Sequence, residues 1–489
     1  MTTTSAIAAD LKSCPIYING KQEISRGKTQ IQNNPATGEP VAVIPFCTPD
    51  EVDAAIASAH RAFDGWSKTP VLQRSRIFFH YRQILEDHAS ELISLITEEN
   101  GKATEEAKGS FQRGIECVEF ACGAPTLMMG EGLQTISHGV DTASIRQPVG
   151  VCVGITPFNF PFMVPMWMFP IAIACGNTFV LKPSEKVPRS AVRIVELLYK
   201  AGLPAGVINV VHGAHEVVDQ LLTDERVKAV SFVGSSAVAK HIYTTASASG
   251  KRVQALGGAK NHSVVMPDCD MKAMIDSVMA SSLGCAGERC VATSVVVAVG
   301  EAGDAVVSEL KKAANALTVG AGDHKDTTMG PIINAEAKQR ILSYIDIGEK
   351  EGAKLARDGR DKTYDKLDGY FLGPTIFDHV KPEMRIAKEE IFGPVLSVIR
   401  AKDLNEALKI VNSSEHGNAA SIYTKSGATA REFTAAVQTG MVGVNIGVPA
   451  PVALFPFSGW KGSFYGDAHA LGKDAVKFYT ETKVVTSRW

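Results

Sequence analysis

Three observations predict an α/β fold of parallel sheets covered by helices on both faces. Short apolar, β-branched runs alternate with helical stretches between Val149 and Leu256. A similar alternation resumes after Cys290 and continues to Asn445, as a second α/β domain of similar size. The chain's 489 residues, 45% hydrophobic and 21% charged, are enough for a large core and more than one domain.

The amino-terminal part is largely helical. Ile16-Tyr17-Ile18 followed by Asn19-Gly20 signals a hairpin. Thr48-Pro49-Asp50-Glu51 predicts a helix start, with Thr as cap, Pro in the first turn and Glu three residues after the cap. Val52, Ala55, Ile56 and Ala59 then share one face. Helical patterns run on through 74–100 and 103–129. From 145 the texture changes. Strands are predicted over 149–155, 178–182, 207–211, 229–233 and 252–256. Helices are predicted over 188–200, stopped by Gly202 and Pro204, over 217–222, and from Ser236 through His241. Beyond Cys290 come a strand over 294–299, helices over 305–316 and 334–351, an α/β unit over 404–423 and a strand end at 441–445. The run 478–485 alternates and is β-rich, yet lies too near the terminus to own a sheet. It needs another element or another subunit to pair with.

In parallel sheets ligands gather beyond the carboxyl ends of the strands. Three polar clusters fall there: Thr156 to Asn159, Lys182 to Lys186, and Gly234-Ser235. Gly234-Ser235 opening a helix suits a phosphate. Lys182 and Glu185 suit ribose hydroxyls, or else form an exposed ion pair. No Gly-x-Gly-x-x-Gly fingerprint occurs, so a standard Rossmann assignment is unsupported.

The stretch Gly284-Cys285-Ala286-Gly287-Glu288-Arg289-Cys290 places a thiol between a Gly-containing loop and a β-branched run. A thiolate is a strong nucleophile near neutral pH. Arg289 beside it is expected to lower the thiol pKa or to hold an anion. The bland alternative is a buried cysteine acting as a small hydrophobe.

Composition excludes several classes. The net charge of −2 without a basic run gives no footprint for nucleic acid or a membrane surface. Nine scattered cysteines, an odd number, argue for a reducing, cytoplasmic setting and against a disulfide framework. Met1 to Cys14 has neither the apolar core of a secretory signal nor the arginines of a mitochondrial presequence. The apolar run 158–181 holds Pro161, Pro165 and Pro170, which are expected to break any helix through it, so a buried core segment is predicted instead of a membrane span. Zinc on Cys285 and Cys290 lacks matching partner ligands, and no metal site is predicted.

Taken together, Ile155-Thr156-Pro157-Phe158-Asn159-Phe160-Pro161, Leu181-Lys182-Pro183-Ser184-Glu185, Phe232-Val233-Gly234-Ser235, Gly287-Glu288-Arg289-Cys290 and Glu389-Glu390-Ile391-Phe392-Gly393-Pro394 resemble the aldehyde dehydrogenase superfamily over nearly the whole chain. The stretches 113–120 and 254–262 are similar to its CoA-acylating, methylmalonate-semialdehyde dehydrogenase branch. The resemblance implies an NAD-binding domain over 1–130 and 148–256, and a catalytic domain over 257–455. It further implies a small β oligomerisation flap over 131–147 and 456–489, in a dimer or tetramer.

It also implies roles. Cys290 attacks the aldehyde carbon, and the Asn159 amide with the Cys290 N–H receives the alkoxide. Thr156, Phe158, Lys182, Glu185, Lys186, Ser235, Gly257 and Glu390 line the NAD site. A carboxylate at Glu185 disfavours a 2′-phosphate, an inference weakened by Lys186 next to it. From their own chemistry, Arg289 next to Cys290 and Arg113 in the branch-like stretch are expected to hold the carboxylate of malonate or methylmalonate semialdehyde, unless Arg113 is merely a solvated residue paired with Glu116. Hydrolytic relatives carry a glutamate base where this chain has Ala255. A thiol with a pKa of about 8.5 needs much less help than water, so coenzyme A is expected to take the acyl group, unless Glu288 or Glu390 replaces the base. The implied products are acetyl-CoA or propionyl-CoA and carbon dioxide. The competing readings are a hydrolytic dehydrogenase and a non-enzymatic member of the fold, the latter disfavoured by the intact Asn159–Cys290 pair.

Overall fold

The computed structural model describes residues 11–361, 363–450 and 452–489, so the reading of the first ten residues as free of a leader falls outside it. Two large sheets organise the chain. In the first, Ile208–Val210, Thr178–Lys182, Val151–Ile155, Val227–Val233 and Arg252–Leu256 lie side by side in that order and all parallel. The antiparallel pair Ile16–Ile18 and Lys21–Glu23 extends one edge, and Phe464–Gly466 closes the other. Strand order thus reverses direction between Val151–Ile155 and Val227–Val233, the point at which such sheets open a crevice. The predicted hairpin turn is present, with Asn19 and Gly20 both at positive φ, 53° and 74°.

The second sheet has seven strands. Thr375–Asp378, Val395–Ala401, Thr293–Val299, Asn261–Val265, Ala419–Tyr423 and Met441–Val444 run parallel, with Lys354–Arg357 antiparallel at the edge. A separate three-stranded sheet is formed by Gly132–Ser137, Val140–Pro148 and Thr480–Arg488. Of the stretch 456–489 assigned to a flap, only this last strand joins that sheet. Phe464–Gly466 belongs to the first sheet, and helix Gly472–Tyr479 packs on helix Met163–Ala174.

The helix caps form as their residues dictate. Thr48 Oγ1 accepts from the Glu51 N–H at 3.4 Å and the Thr48 N–H donates to Glu51 Oε2 at 2.8 Å. Val52, Ala55, Ile56 and Ala59 are fully buried on one face of Pro49–Lys68. The helical run over 74–100 is in fact two helices, Val71–Asp87 and Ala89–Asn100, divided at His88, whose ψ of 13° leaves the helical region.

One expectation is corrected. Pro165 and Pro170 do not prevent a helix, because Met163–Ala174 is helical through both. Pro165 lies in the first turn, where its missing N–H has no intrahelical partner to lose. Pro170 removes one bond, but all residues from Val164 to Ala174 are buried against the neighbouring helices, so packing outweighs the loss. No helix among the described residues is long and apolar enough to cross a membrane.

Candidate active site

The chain crosses from the first sheet to the second through Gly257-Gly258-Ala259-Lys260, and the site forms at this crossing. Ile155, Lys182 and Phe232 stand level in the parallel register. The loops that follow them therefore leave the carboxyl edge of the first sheet together. The amino ends of the second sheet face them: Asn261 and Thr293 are register partners, and Cys290 and Glu390 precede two of its strands.

Two cavities meet at Cys290. One, of about 800 Å³, is lined by Thr156, Phe158, Asn159, Lys182, Glu185, Lys186, Ser235, Gly257 and Glu390, every cofactor position expected from the sequence. The other, of about 700 Å³, has apolar walls that include Trp167, Val448 and Phe457, and it carries Arg113 and Arg289. Cys290 is half-buried, whereas the other eight cysteines are buried.

The nucleophile loop is tightly held. Cys285 and Ala286 adopt φ of 50° and 51° in the 3-10 turn Gly284–Gly287. A Cβ on Gly287, at φ +75°, would overlap the Gly393 carbonyl, so only glycine lets this loop approach the Ile391–Pro394 loop. The Cys290 carbonyl accepts from Asn261 Nδ2 at 2.9 Å and Asn418 Nδ2 at 2.8 Å. Asn159 is buried, and its Nδ2 donates to the Glu288 carbonyl at 3.0 Å. A side-chain amide has two N–H bonds, so one stays free for an oxyanion. The loop behind Asn159 is pinned from a helix end. Lys102, itself buried, donates to the Asn159 carbonyl at 2.6 Å, and Asn100 donates to the Phe158 carbonyl at 3.1 Å. Lys102, Asn261 and Asn418 were not singled out as site residues from the sequence. They act through backbone carbonyls; the signals were the polar Asn100-Gly101-Lys102 stretch ending a helix and, for Asn261, its place in the branch-like stretch 254–262.

Lys182 and Glu185 do form an ion pair, 3.1 Å long, but Lys182 is buried in the cleft rather than exposed. Burial pushes the Glu185 carboxyl up, and the Lys182 charge with local hydrogen bonds holds it lower than usual. Lys186 lies over the Phe158 ring, 5.0 Å from its centroid. Ser235 holds the N-cap position of helix Ser236–Ala248 without a side-chain capping hydrogen bond, and the helix's amino end opens on the cleft.

Burial outweighs the Arg289 charge, which lowers the Cys290 thiol as expected. Burial pushes the Cys290 thiol up to about 12, and the Glu390 charge adds to this. Arg289 opposes the shift, but its guanidinium is turned elsewhere: to Glu106 at 2.9 Å and Cys285 Sγ at 3.3 Å. Arg113, half-exposed, pairs with Glu116 at 2.9 Å. Both arginines thus reach the apolar cavity with a carboxylate already beside them. Ala255 is fully buried in the first sheet and lines neither cavity. Burial also raises two nearby carboxyls, Glu288 to about 8 and Glu390 to about 7.

A thiol at the meeting point of a nucleotide-type cleft and an apolar pocket is an arrangement that suits an aldehyde-oxidising class of enzyme. The chain belongs to the aldehyde dehydrogenase family, whose sequence pattern matches residues 23–485. Within it, the chain is 56% identical over 480 residues to malonate-semialdehyde dehydrogenase 2 of Geobacillus thermodenitrificans, covering 98% of this chain and 99% of the relative. It is 55% identical to malonate-semialdehyde dehydrogenase of Halalkalibacterium halodurans, covering 97% and 98%. The crystal structure of methylmalonate-semialdehyde dehydrogenase from Oceanimonas doudoroffii superposes with a TM-score of 0.97 at 49% identity, covering 98% and 99%. A structure from Sinorhizobium meliloti 1021, assigned provisionally to the same activity and complexed with NAD, gives 0.96 at 45% identity, covering 98% of each chain.

Proposed function

We propose that this protein is an NAD-dependent, CoA-acylating dehydrogenase of malonate or methylmalonate semialdehyde. The observation that carries the proposal is the position of Cys290, shared by the nucleotide-type cleft and the apolar cavity. The names of the relatives support the substrate class, and the NAD-bound neighbour supports the cofactor. The cleft fits NAD: the helix amino end at Ser235 suits a phosphate, the Lys182–Glu185 pair suits ribose hydroxyls, and Thr156, Phe158, Lys186, Gly257 and Glu390 complete its walls.

The roles follow from the chemistry. Cys290 attacks the aldehyde carbon, and the free Asn159 N–H with the Cys290 N–H receives the alkoxide. NAD, when bound, accepts the hydride. Collapse of the alkoxide leaves a thioester on Cys290. Loss of the β-carboxylate as carbon dioxide is favoured because the thioester carbonyl takes up the electrons left behind, and the enolate carbon then takes a proton to give the acetyl or propionyl thioester. Coenzyme A then displaces the acyl group, since Ala255 supplies no base for water. Acetyl-CoA or propionyl-CoA is the product. The hydrolytic alternative would need Glu288 or Glu390 to activate water.

Arg113 and Arg289 clamp the substrate carboxylate, exchanging Glu116 and Glu106 for it. Arg113→Leu or Arg289→Leu is expected to lower kcat/KM at least tenfold more for malonate semialdehyde than for propanal, on the order of the energy of a charge-assisted hydrogen bond. Equal losses on both substrates would remove the clamp.

The remaining assignments belong to the same reading. The NAD-binding domain spans 1–130 and 148–256, the catalytic domain spans 257–455, and the three-stranded sheet is an oligomerisation flap in a dimer or tetramer. Nine cysteines without a disulfide fit the cytoplasm.

A further inference from the structure

Cys290 must lose a proton to attack, and nothing described so far takes it. The buried thiol holds its proton firmly, and Ala255 offers no base. Glu390 shares the wall of the cofactor cleft with Cys290. It also walls a third cavity, of about 540 Å³, on the side of the second sheet. That cavity is rich in titratable groups: Glu389, Glu390, Glu415, His262 and His416. It is roomy and polar enough to hold water. His416 Nδ1 is buried there without a hydrogen-bond partner among the described residues.

Glu390 is poised between the two spaces. Its Oε1 accepts from the Ala259 N–H at 3.0 Å, which leaves Oε2 free of a described partner. Lys260, buried beside it, donates to the Glu389 carbonyl at 2.7 Å. The Glu389 carboxylate is itself occupied by Arg385 at 2.6 Å and by the Tyr344 hydroxyl. Lys260 and Arg340 are the cations facing Glu390, and the Cys290 thiol is the acid facing it.

We propose that Glu390 accepts the Cys290 thiol proton during attack and passes it to water in the cavity behind it. This rests on Cys290 being the nucleophile of the proposed reaction. The step balances: the S–H bond breaks and its proton goes to a Glu390 carboxylate oxygen, directly or through one water. The sulfur pair forms the S–C bond, and the carbonyl π pair moves to oxygen. With an aldehyde that lacks the β-carboxylate, such as propanal, one proton remains once the alkoxide collapses and hydride leaves, and the cavity carries it out; with malonate semialdehyde the carbon that loses carbon dioxide takes up a proton, so none is left over. The lift of the Glu390 carboxyl to about 7 suits this role, because a base works best when its pKa is near the operating pH.

Alkylation of Cys290 by iodoacetamide tests this without NAD, aldehyde or coenzyme A. Mass spectrometry of the labelled peptide identifies the site, which is favoured because the other eight cysteines are buried. In the unmodified protein the rate should rise with pH through about 7, as Glu390 loses its proton. Glu390→Gln should slow labelling at pH 7.5 about a hundredfold and abolish the step near 7, while Glu390→Asp restores part of the rate. If Glu390 acted only as a neighbouring charge, Glu390→Gln would lower the thiol pKa and speed labelling, and an equal or faster rate overturns the proposal. For the outlet, Ile410→Trp fills the cavity away from the cofactor cleft. In a single turnover of propanal, proton release followed with a pH indicator should then lag behind NADH, and release that keeps pace overturns the outlet. If Cys290→Ala leaves dehydrogenase activity intact, the nucleophile assignment itself fails. Labelling at Cys290 that is not slowed by Glu390→Gln sinks only the base.

Discussion

At the scale of single residues, the site is governed by burial. Cys290, Glu288 and Glu390 are each pushed towards the neutral form by burial among protein groups. The Cys290 thiol therefore favours its protonated form. Glu288 is buried, and among the described residues its carboxyl accepts only from the Ile333 N–H, at 3.4 Å. Its ordinary value of 4.5 rises to about 8 in the fold. Between those values the folded protein keeps a proton that the unfolded chain has lost, so stability falls as pH rises through this window. Glu288→Gln should therefore stabilise the protein by ~2 kcal/mol at pH 7 and flatten the decline, with no gain below pH 4.5, where both states are protonated. Thermal melts across pH 4 to 8 check this. A gain that does not vary with pH would mean that the glutamate costs stability through packing and not through its charge.

At the scale of elements, the chemistry depends on two loops brought into contact from distant parts of the chain. Gly287 admits the Gly393 carbonyl, and the rings of Phe158 and Phe392 meet edge to face at 5.7 Å across the cleft. Gly287→Ala would strain a positive φ and displace the Ile391–Pro394 loop at the same time. It should cost about 2 kcal/mol in stability and weaken NAD binding, measured by melting and by fluorescence titration. A fully stable variant with unchanged NAD affinity would show that the approach of the loops is dispensable. The elements also show why part of the site was legible. Cys290, Asn159, Lys182 and Glu185 sit in local motifs whose chemistry can be read from neighbouring residues. Lys102, Asn261 and Asn418 act on carbonyls 57, 29 and 128 residues away. Pairings of that kind arise only when the sheets assemble. Helix Met163–Ala174 was misjudged for a related reason, because local proline propensity was overridden by burial on all sides.

At the scale of the whole molecule, two sheets meet head to tail and leave the reactive thiol between a nucleotide-type cleft and an apolar pocket. Alternating strands and helices foretold both sheets, but not Phe464–Gly466 returning to the first one. The three-stranded sheet projects apolar side chains: Leu133, Ile136 and Val484 are 60%, 54% and 64% exposed. Such a surface fits a partner subunit. Val484→Glu should shift the protein towards monomer in light scattering, while an unchanged mass would place the subunit contact elsewhere. In the proposed reaction coenzyme A, not water, releases the acyl group from Cys290. NAD and malonate semialdehyde are mixed without coenzyme A, and NADH is followed from the first turnover. The account predicts a burst of about one NADH per active Cys290, then a slow phase, with rapid turnover and a CoA thioester appearing once coenzyme A is added. Steady-state NADH formation that is equally fast without coenzyme A, with free acid as product, would contradict it.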